Sequence, residues 1–168
     1  MTVGERCYVD YNVVIESSGA PIVIDDETII FANSVIRSVG GISRPAFPVR
    51  IGNRTLISPL CALAGCIVGS NCYIATAALI FQGATIGDNC RIAAGAIVHL
   101  KTTLPAGTNI GLRYIAVPTD GGKVVIQELI QSGNVRVPLG VSLLLANVKY
   151  GLLIHWNLSF LFPTSLIP

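Results

Sequence analysis

Few side chains in this sequence could do chemistry. There are two histidines, His99 and His155, and five cysteines. A histidine can serve as a general base where it lies within hydrogen-bond reach of the group it deprotonates, and Cys66 could ligate a metal. Four arginines, Arg37, Arg44, Arg50 and Arg54, lie in or beside the stretch RSVGGISRPAFPVR at 37–50. Guanidinium groups grip carboxylates and phosphates through paired hydrogen bonds. The stretch therefore reads either as a solvated loop leaving the fold or as an anion site.

The composition narrows the classes of function. A chain of 168 residues suggests one domain. Only 12% of it is charged, where a soluble domain averages about 25%, so it must bury much of its surface or share it with partners. A net charge of +2 is too small for a nucleic-acid footprint. The N-terminal MTVGERCYVDY lacks an apolar run behind basic residues. Five cysteines without a secretion signal point to free thiols in a reducing compartment, and the expected location is cytoplasmic.

The elements that must position these side chains are set by an internal period. Aliphatics recur every six residues at Val68, Ile74, Ile80, Ile86, Ile92, Val98, Leu104 and Ile110. Upstream the same step links Val3, Val9 and Ile15, then Ile24, Ile30 and Ile36, then Ile51, Ile57 and Leu63. If these point inward, the residue four places later should face a tight corner and be small. Those residues are Cys7, Val13, Thr28, Ser34, Thr55, Cys61, Cys72, Ala78, Ala84, Cys90, Ala96, Thr102 and Thr108, none of them long, charged or aromatic. Gly52, Gly69 and Gly87 each follow an inward aliphatic, where glycine's backbone freedom suits a corner. The fold expected is all-β, a parallel β-helix with three short strands per coil. At roughly 4.8 Å per coil, about six coils make a prism some 25–30 Å long. Four of the cysteines occupy the small inward slot and read as packing residues. Cys66 is off that slot.

The β-helix domain is expected over 1–118. The segment DGGKVVIQELIQSGN suggests a short helix within 119–134, with Asp120 as its cap, Val125, Ile126, Leu129 and Ile130 on one face and Gly133 at its end. Lying on the prism, it would protect an open sheet edge. An apolar tail, 135–168, follows. Asn147, Lys149, His155 and Asn157 interrupt its apolar run, so it is expected to pack on the prism or at a subunit contact rather than to span a membrane.

The stretch PVRIGNRTLISPLCALAGCIVGSN, 48–71, resembles the core motif of the γ-class carbonic anhydrases and their acyltransferase-like relatives. That motif reads Pro-Val-x-Ile-Gly-Asp-Asn-x-x-Ile-Gly-His-x-Ala-x-Leu-His-Gly-Cys-x-Ile-Gly. The shortened step from Leu63 to Val68, with Gly65 and Cys66 between, fixes the register. The resemblance covers residues 3 to about 118. It implies a left-handed β-helix and a homotrimer with sites between subunits. The family's zinc histidines fall on Arg37, Pro59 and Ala64, which supply no ligand, and an Arg-Gly-Asp-like segment is replaced by Glu16, Ser17 and Ser18. No metal and no cofactor are therefore expected at this site. The segment AAGAIVHLKTTLPAGTNIG, 93–111, resembles the closing coils of bacterial hexapeptide acyltransferases, which commonly use a histidine base and an acyl-CoA. The lysine that usually follows their closing Pro-Ala is absent from RYIAVPTD.

Three functions follow as expectations. The first is a carbonic-anhydrase-like scaffold that binds a small anion or another small molecule in a cleft between subunits, lined by Arg37, Ser58, Pro59, Ala64 and Cys66. The alternative is an acyltransferase that uses acetyl-CoA, with His99 as its base. His99 follows Val98 and should point outward at a corner, where a solvated turn residue is the competing reading. The third is a zinc site rearranged onto Cys66 or His99.

Overall fold

Stacked aliphatics build the interior. Ile24, Ile30, Ile36, Ile51, Ile57, Leu63, Ile74, Ile80, Ile86 and Ile92 are all at most 1% exposed, and burying a side chain of this kind contributes about 1.5–3 kcal/mol. The computed structural model describes residues 1–41 and 44–129. It shows a parallel β-solenoid of six coils, whose first coil consists of Thr2–Val3, Tyr8–Val9 and Val14–Glu16. Corresponding strands of successive coils pair in parallel and form three sheets. The register stacks inward residue on inward residue, as in Ile24 against Ile51, Ile57 against Ile74 and Leu63 against Ile80.

The small inward slot is confirmed and has a second role. Ten of its thirteen residues are buried, and Cys7, Val13 and Thr108 are half-buried. Where the slot holds a hydroxyl or thiol, that group donates to a carbonyl of the next coil, except in the last coil, where Thr108 Oγ1 donates to Pro105 O. Thr28 Oγ1 donates to Gly52 O at 3.1 Å, Thr55 Oγ1 to Gly69 O at 2.9 Å, Cys72 Sγ to Gly87 O at 3.2 Å and Cys90 Sγ to Pro105 O at 3.2 Å. Thr55 Oγ1 also accepts from Cys72 N at 3.2 Å.

The glycines after inward aliphatics serve close approach rather than unusual backbone angles. Gly52, Gly69 and Gly87 are not among the residues with positive φ. A Cβ at Gly69 would lie 2.7 Å from Asp88 N and 2.8 Å from Gly87 C, inside the backbone of the next coil. Positive φ falls instead on corner residues such as Asn33, Asn71 and Asn89, a residue type that visits this region readily.

Three expectations are corrected. The segment expected as a helix holds a strand, Val124–Glu128, paired antiparallel with Tyr114–Pro118. Val124, Val125 and Ile126 are β-branched, which favours a pleated strand. The turn between the strands closes through Thr119 N to Lys123 O at 2.8 Å. The hairpin protects the sheet edge in place of the helix, and no helix occurs among the described residues. Residues 130–134 and the apolar tail lie outside the described residues. Second, the stretch at 37–50 is more than a loop. Val39–Gly41 and Arg44–Phe47 pair antiparallel as a hairpin that projects between the second and third coils.

Third, Cys66 belongs to the inward slot. It precedes Val68 by two residues, as Ala84 precedes Ile86 and Thr102 precedes Leu104. It is 1% exposed. Counting four forward from Leu63 overshoots it, because this step is one residue short.

The two ends of the prism differ. Leu104 and Ile110 in the last coil are each 2% exposed, whereas Val3 and Val9, their counterparts in the first, are 41% and 42% exposed.

The glycine stack gives a direct test. Gly69→Ala is expected to cost about 1–3 kcal/mol, as overpacking does, and to lower the thermal midpoint. Gly121→Ala, where nothing lies within 4 Å, should leave it unchanged. Equal midpoints for the two variants in thermal denaturation would contradict the close-approach reading.

Candidate functional site

An inward aliphatic is followed by a residue that turns outward, so the third sheet carries an outer column along its edge. Glu16, Arg37 and Ala64 are paired in register. Phe81 and His99 continue the column, since they follow Ile80 and Val98, which are paired with each other. Phe81 N donates to Val98 O at 3.0 Å and His99 N to Ala116 O at 2.9 Å. The backbone therefore holds each position in line with the coil beyond it.

Phe47, at the end of the projecting hairpin, packs beside this column. A Cβ on Gly65 would come within 2.5 Å of Phe47 Cβ, and one on Gly83 within 3.3 Å of Phe47 Cε1. Both glycines have positive φ, 51° and 74°, a conformation that costs a residue with a Cβ about 1–2 kcal/mol. Glycine thus meets both demands at once, the turn and the seat for the ring. The signal in the sequence was faint, an aromatic between two prolines in RPAFP.

His99 is half-buried, not a solvated turn residue. Its ring lies 6.1 Å from that of Phe81, centroid to centroid, at 52°. Burial disfavours the charged imidazolium and holds the group below its ordinary value of 6.5. The imidazole is therefore neutral at pH 7 and able to accept a proton.

Within one chain, the five residues expected to line a cleft between subunits occupy three places. Arg37 and Ala64 are neighbours in register. Ser58, which is buried, and Pro59, which is half-buried, follow the strand Leu56–Ile57 and so sit at the preceding corner of the coil. Cys66 is inside. Its thiol is pushed up to about 12 by burial, so it neither ionises at neutral pH nor reaches a metal from outside. Arg37, Pro59 and Ala64 offer no donor atoms suited to a cation, so the position does not fit zinc. Among the described residues, no three His, Cys, Asp or Glu side chains gather where a metal could sit.

Among the described side chains, Arg37, Arg50 and Arg54 have separate partners. Arg50 pairs with Asp25 at 2.9 Å, and Arg54 Nε donates to Asn71 Oδ1 at 3.0 Å. Arg37 stands 3.8 Å from Glu16 Oε1. The side chain of Arg44 lies outside the description.

No known protein-family model matches the chain, and a search of curated proteins finds no match. Solved structures do resemble it. A hexapeptide transferase family protein from Anaplasma phagocytophilum is similar at 15% identity and a TM-score of 0.50, over 75% of this chain and 69% of that one. A hexapeptide-repeat acetyltransferase from Vibrio cholerae has 18% identity and a TM-score of 0.46, over 77% and 74%. The acetyltransferase domain of PglB from Neisseria gonorrhoeae has 18% identity and a TM-score of 0.46, over 74% of this chain and only 54% of that one. The first of these likenesses agrees with the fold described above, a hexapeptide-repeat β-helix. Among the described residues, no helix is long and apolar enough to cross a membrane.

Two measurements check the site. In native protein at pH 8, iodoacetamide should label half-buried Cys7 and leave Cys66 unmodified until denaturant is added. Peptide mass spectrometry reads this directly, and early labelling of Cys66 would show it accessible. The His99 ring should titrate below 6.5 by NMR. The unfolded chain then binds more protons than the folded one as pH falls below about 6.5. The contribution of His99 to stability is full above that pH and is lost toward its folded value.

Proposed function

We propose that the protein transfers an acyl group from an acyl-CoA to a hydroxyl or amine, with His99 as general base. The observation that carries this reading is His99 itself, a neutral, half-buried imidazole on an outer edge of a hexapeptide-repeat β-helix. A base of this kind is useful because it is unprotonated at the working pH and sheltered from bulk water. In the step, the acceptor oxygen or nitrogen attacks the thioester carbonyl while its proton passes to His99. The carbon–sulfur bond then breaks, and the imidazolium returns the proton to the departing thiolate. The names of the similar structures, hexapeptide transferase and acetyltransferase, agree with this chemistry.

A second reading is a non-catalytic scaffold related to the γ-class carbonic anhydrases that binds a small anion. It rests on Arg37, which occupies a ligand position of that motif one coil from Ala64. In a homotrimer, Ser58 and Pro59 of one subunit would face Arg37 and Ala64 of the next. Bicarbonate, citrate or phosphate should then raise the melting temperature by mass action, and Arg37→Ala should abolish the shift.

Acetyl-CoA binding by calorimetry, together with thiol release in the presence of an amine panel, tests the first reading. His99→Ala should reduce transfer by about 10²–10⁴-fold, the usual contribution of a general base. No binding of acetyl-CoA, or full turnover by the variant, would overturn it.

A further inference from the structure

We propose that the acceptor is an extended anionic molecule, whose phosphate or carboxylate is held by Arg37 while its hydroxyl or amine reaches His99. This rests on the acyl-transfer reading and names the substrate class for the same edge of the prism.

Geometry carries the argument. Arg37, Ala64, Phe81 and His99 succeed one another along one outer column, one residue per coil. Three coil steps of roughly 4.8 Å put Arg37 about 14 Å from His99 along the prism. Between them the column changes character. Ala64 projects only a methyl group, so the smallest side chain of the column stands between Arg37 in the coil before it and Phe81 in the coil after it. Phe47 is seated on Gly65 and Gly83, the glycines that follow this column in the coils of Ala64 and Phe81. The track therefore runs from a cation, over an apolar floor with aromatic flanks, to a base.

Arg37 has donors to offer. Arg6 and Arg50 are held by carboxylates at 2.6 and 2.9 Å, and Arg54 by the Asn71 carbonyl oxygen at 3.0 Å. Arg37 has a looser ion pair, 3.8 Å from Glu16 Oε1, and both side chains are about half exposed. That same carboxylate oxygen already accepts from Ser18 Oγ at 2.7 Å. A phosphate or carboxylate on a ligand would offer Arg37 the two-pronged contact that Glu16 does not make. A neutral acceptor would forgo it.

A molecular ruler tests the proposal on the full chain. α,ω-Aminoalkyl phosphates of increasing length, and the matching phosphate-free amines, are titrated by calorimetry with acetyl-CoA measured on the same samples. Affinity should rise with length toward a span of about 14 Å. The phosphates should bind about tenfold or more tightly than the plain amines, as expected for a charge-assisted pair. Arg37→Gln should abolish that preference, and Ala64→Phe should block the long phosphates while the thermal midpoint holds. Arg91→Gln, an exposed arginine on another sheet, should change nothing. Equal binding of phosphates and plain amines, or an unchanged preference in Arg37→Gln, overturns the acceptor assignment while acetyl-CoA binding keeps the acyl-transfer reading intact. Loss of both overturns both.

Discussion

Each coil depends on the next for its backbone hydrogen bonds. A strand of two or three residues has no helical turn or hairpin to satisfy its own amides, so Tyr8 N donates to Thr28 O, Leu56 N to Cys72 O and Leu79 N to Ala96 O. The pitch of the prism follows from this constraint, and so does the composition inside it. Only a residue small enough to let the coils meet fits the corner slot, and only a large aliphatic fills the centre. Where a buried slot residue is polar, as at Thr28, Thr55 and Cys72, its hydroxyl or thiol faces a carbonyl in the next coil. The polar groups in the interior are thereby paired, and no buried side-chain nitrogen or oxygen lacks a partner among the described residues.

Among the described residues the interior is packed with aliphatic and small side chains, so the residues with chemistry to offer are those that face outward. Register orders that outside, because the residue after each inward aliphatic of the third sheet is held in line with the coil beyond it. His99 gains its environment in this way. The backbone bond to Ala116 fixes its position, the Phe81 ring lies beside it, and desolvation disfavours its charged form. Arg37 and Ala64 share that column, which joins a charge, a small residue and an imidazole on one scaffold edge without any of them entering the core.

The coils were legible in the sequence because one short rule generates them. The step of six from Val68 to Ile110 names the interior, and the small residues between confirm it. Legibility failed where the rule was interrupted or where contacts join distant residues. Cys66 was misplaced because the step before it is one residue short. Val125, Ile126 and Leu129 fit a helical face as well as a strand, and pairing with Tyr114–Pro118 decided the matter. Phe47 could not be placed at all, since its meaning depends on two glycines in later coils. His99 was found by its residue type, but its burial beside Phe81 is a property of the stacked coils.

The prism has two edges that keep strict time and one that does not. From the first sheet to the second, and from the second to the third, every inward residue follows its predecessor by six positions, as in Ile24 to Ile30 to Ile36 and Ile86 to Ile92 to Val98. All irregularities fall between the third sheet and the first, namely the long hairpin after Arg37, the short step after Leu63 and the extra residues after Ile15. Insertions and deletions at this edge leave the coils above and below in phase. It is the one margin of the solenoid where length can be edited without rewriting the repeat, and Arg37, Phe47, Phe81 and His99 all stand along it.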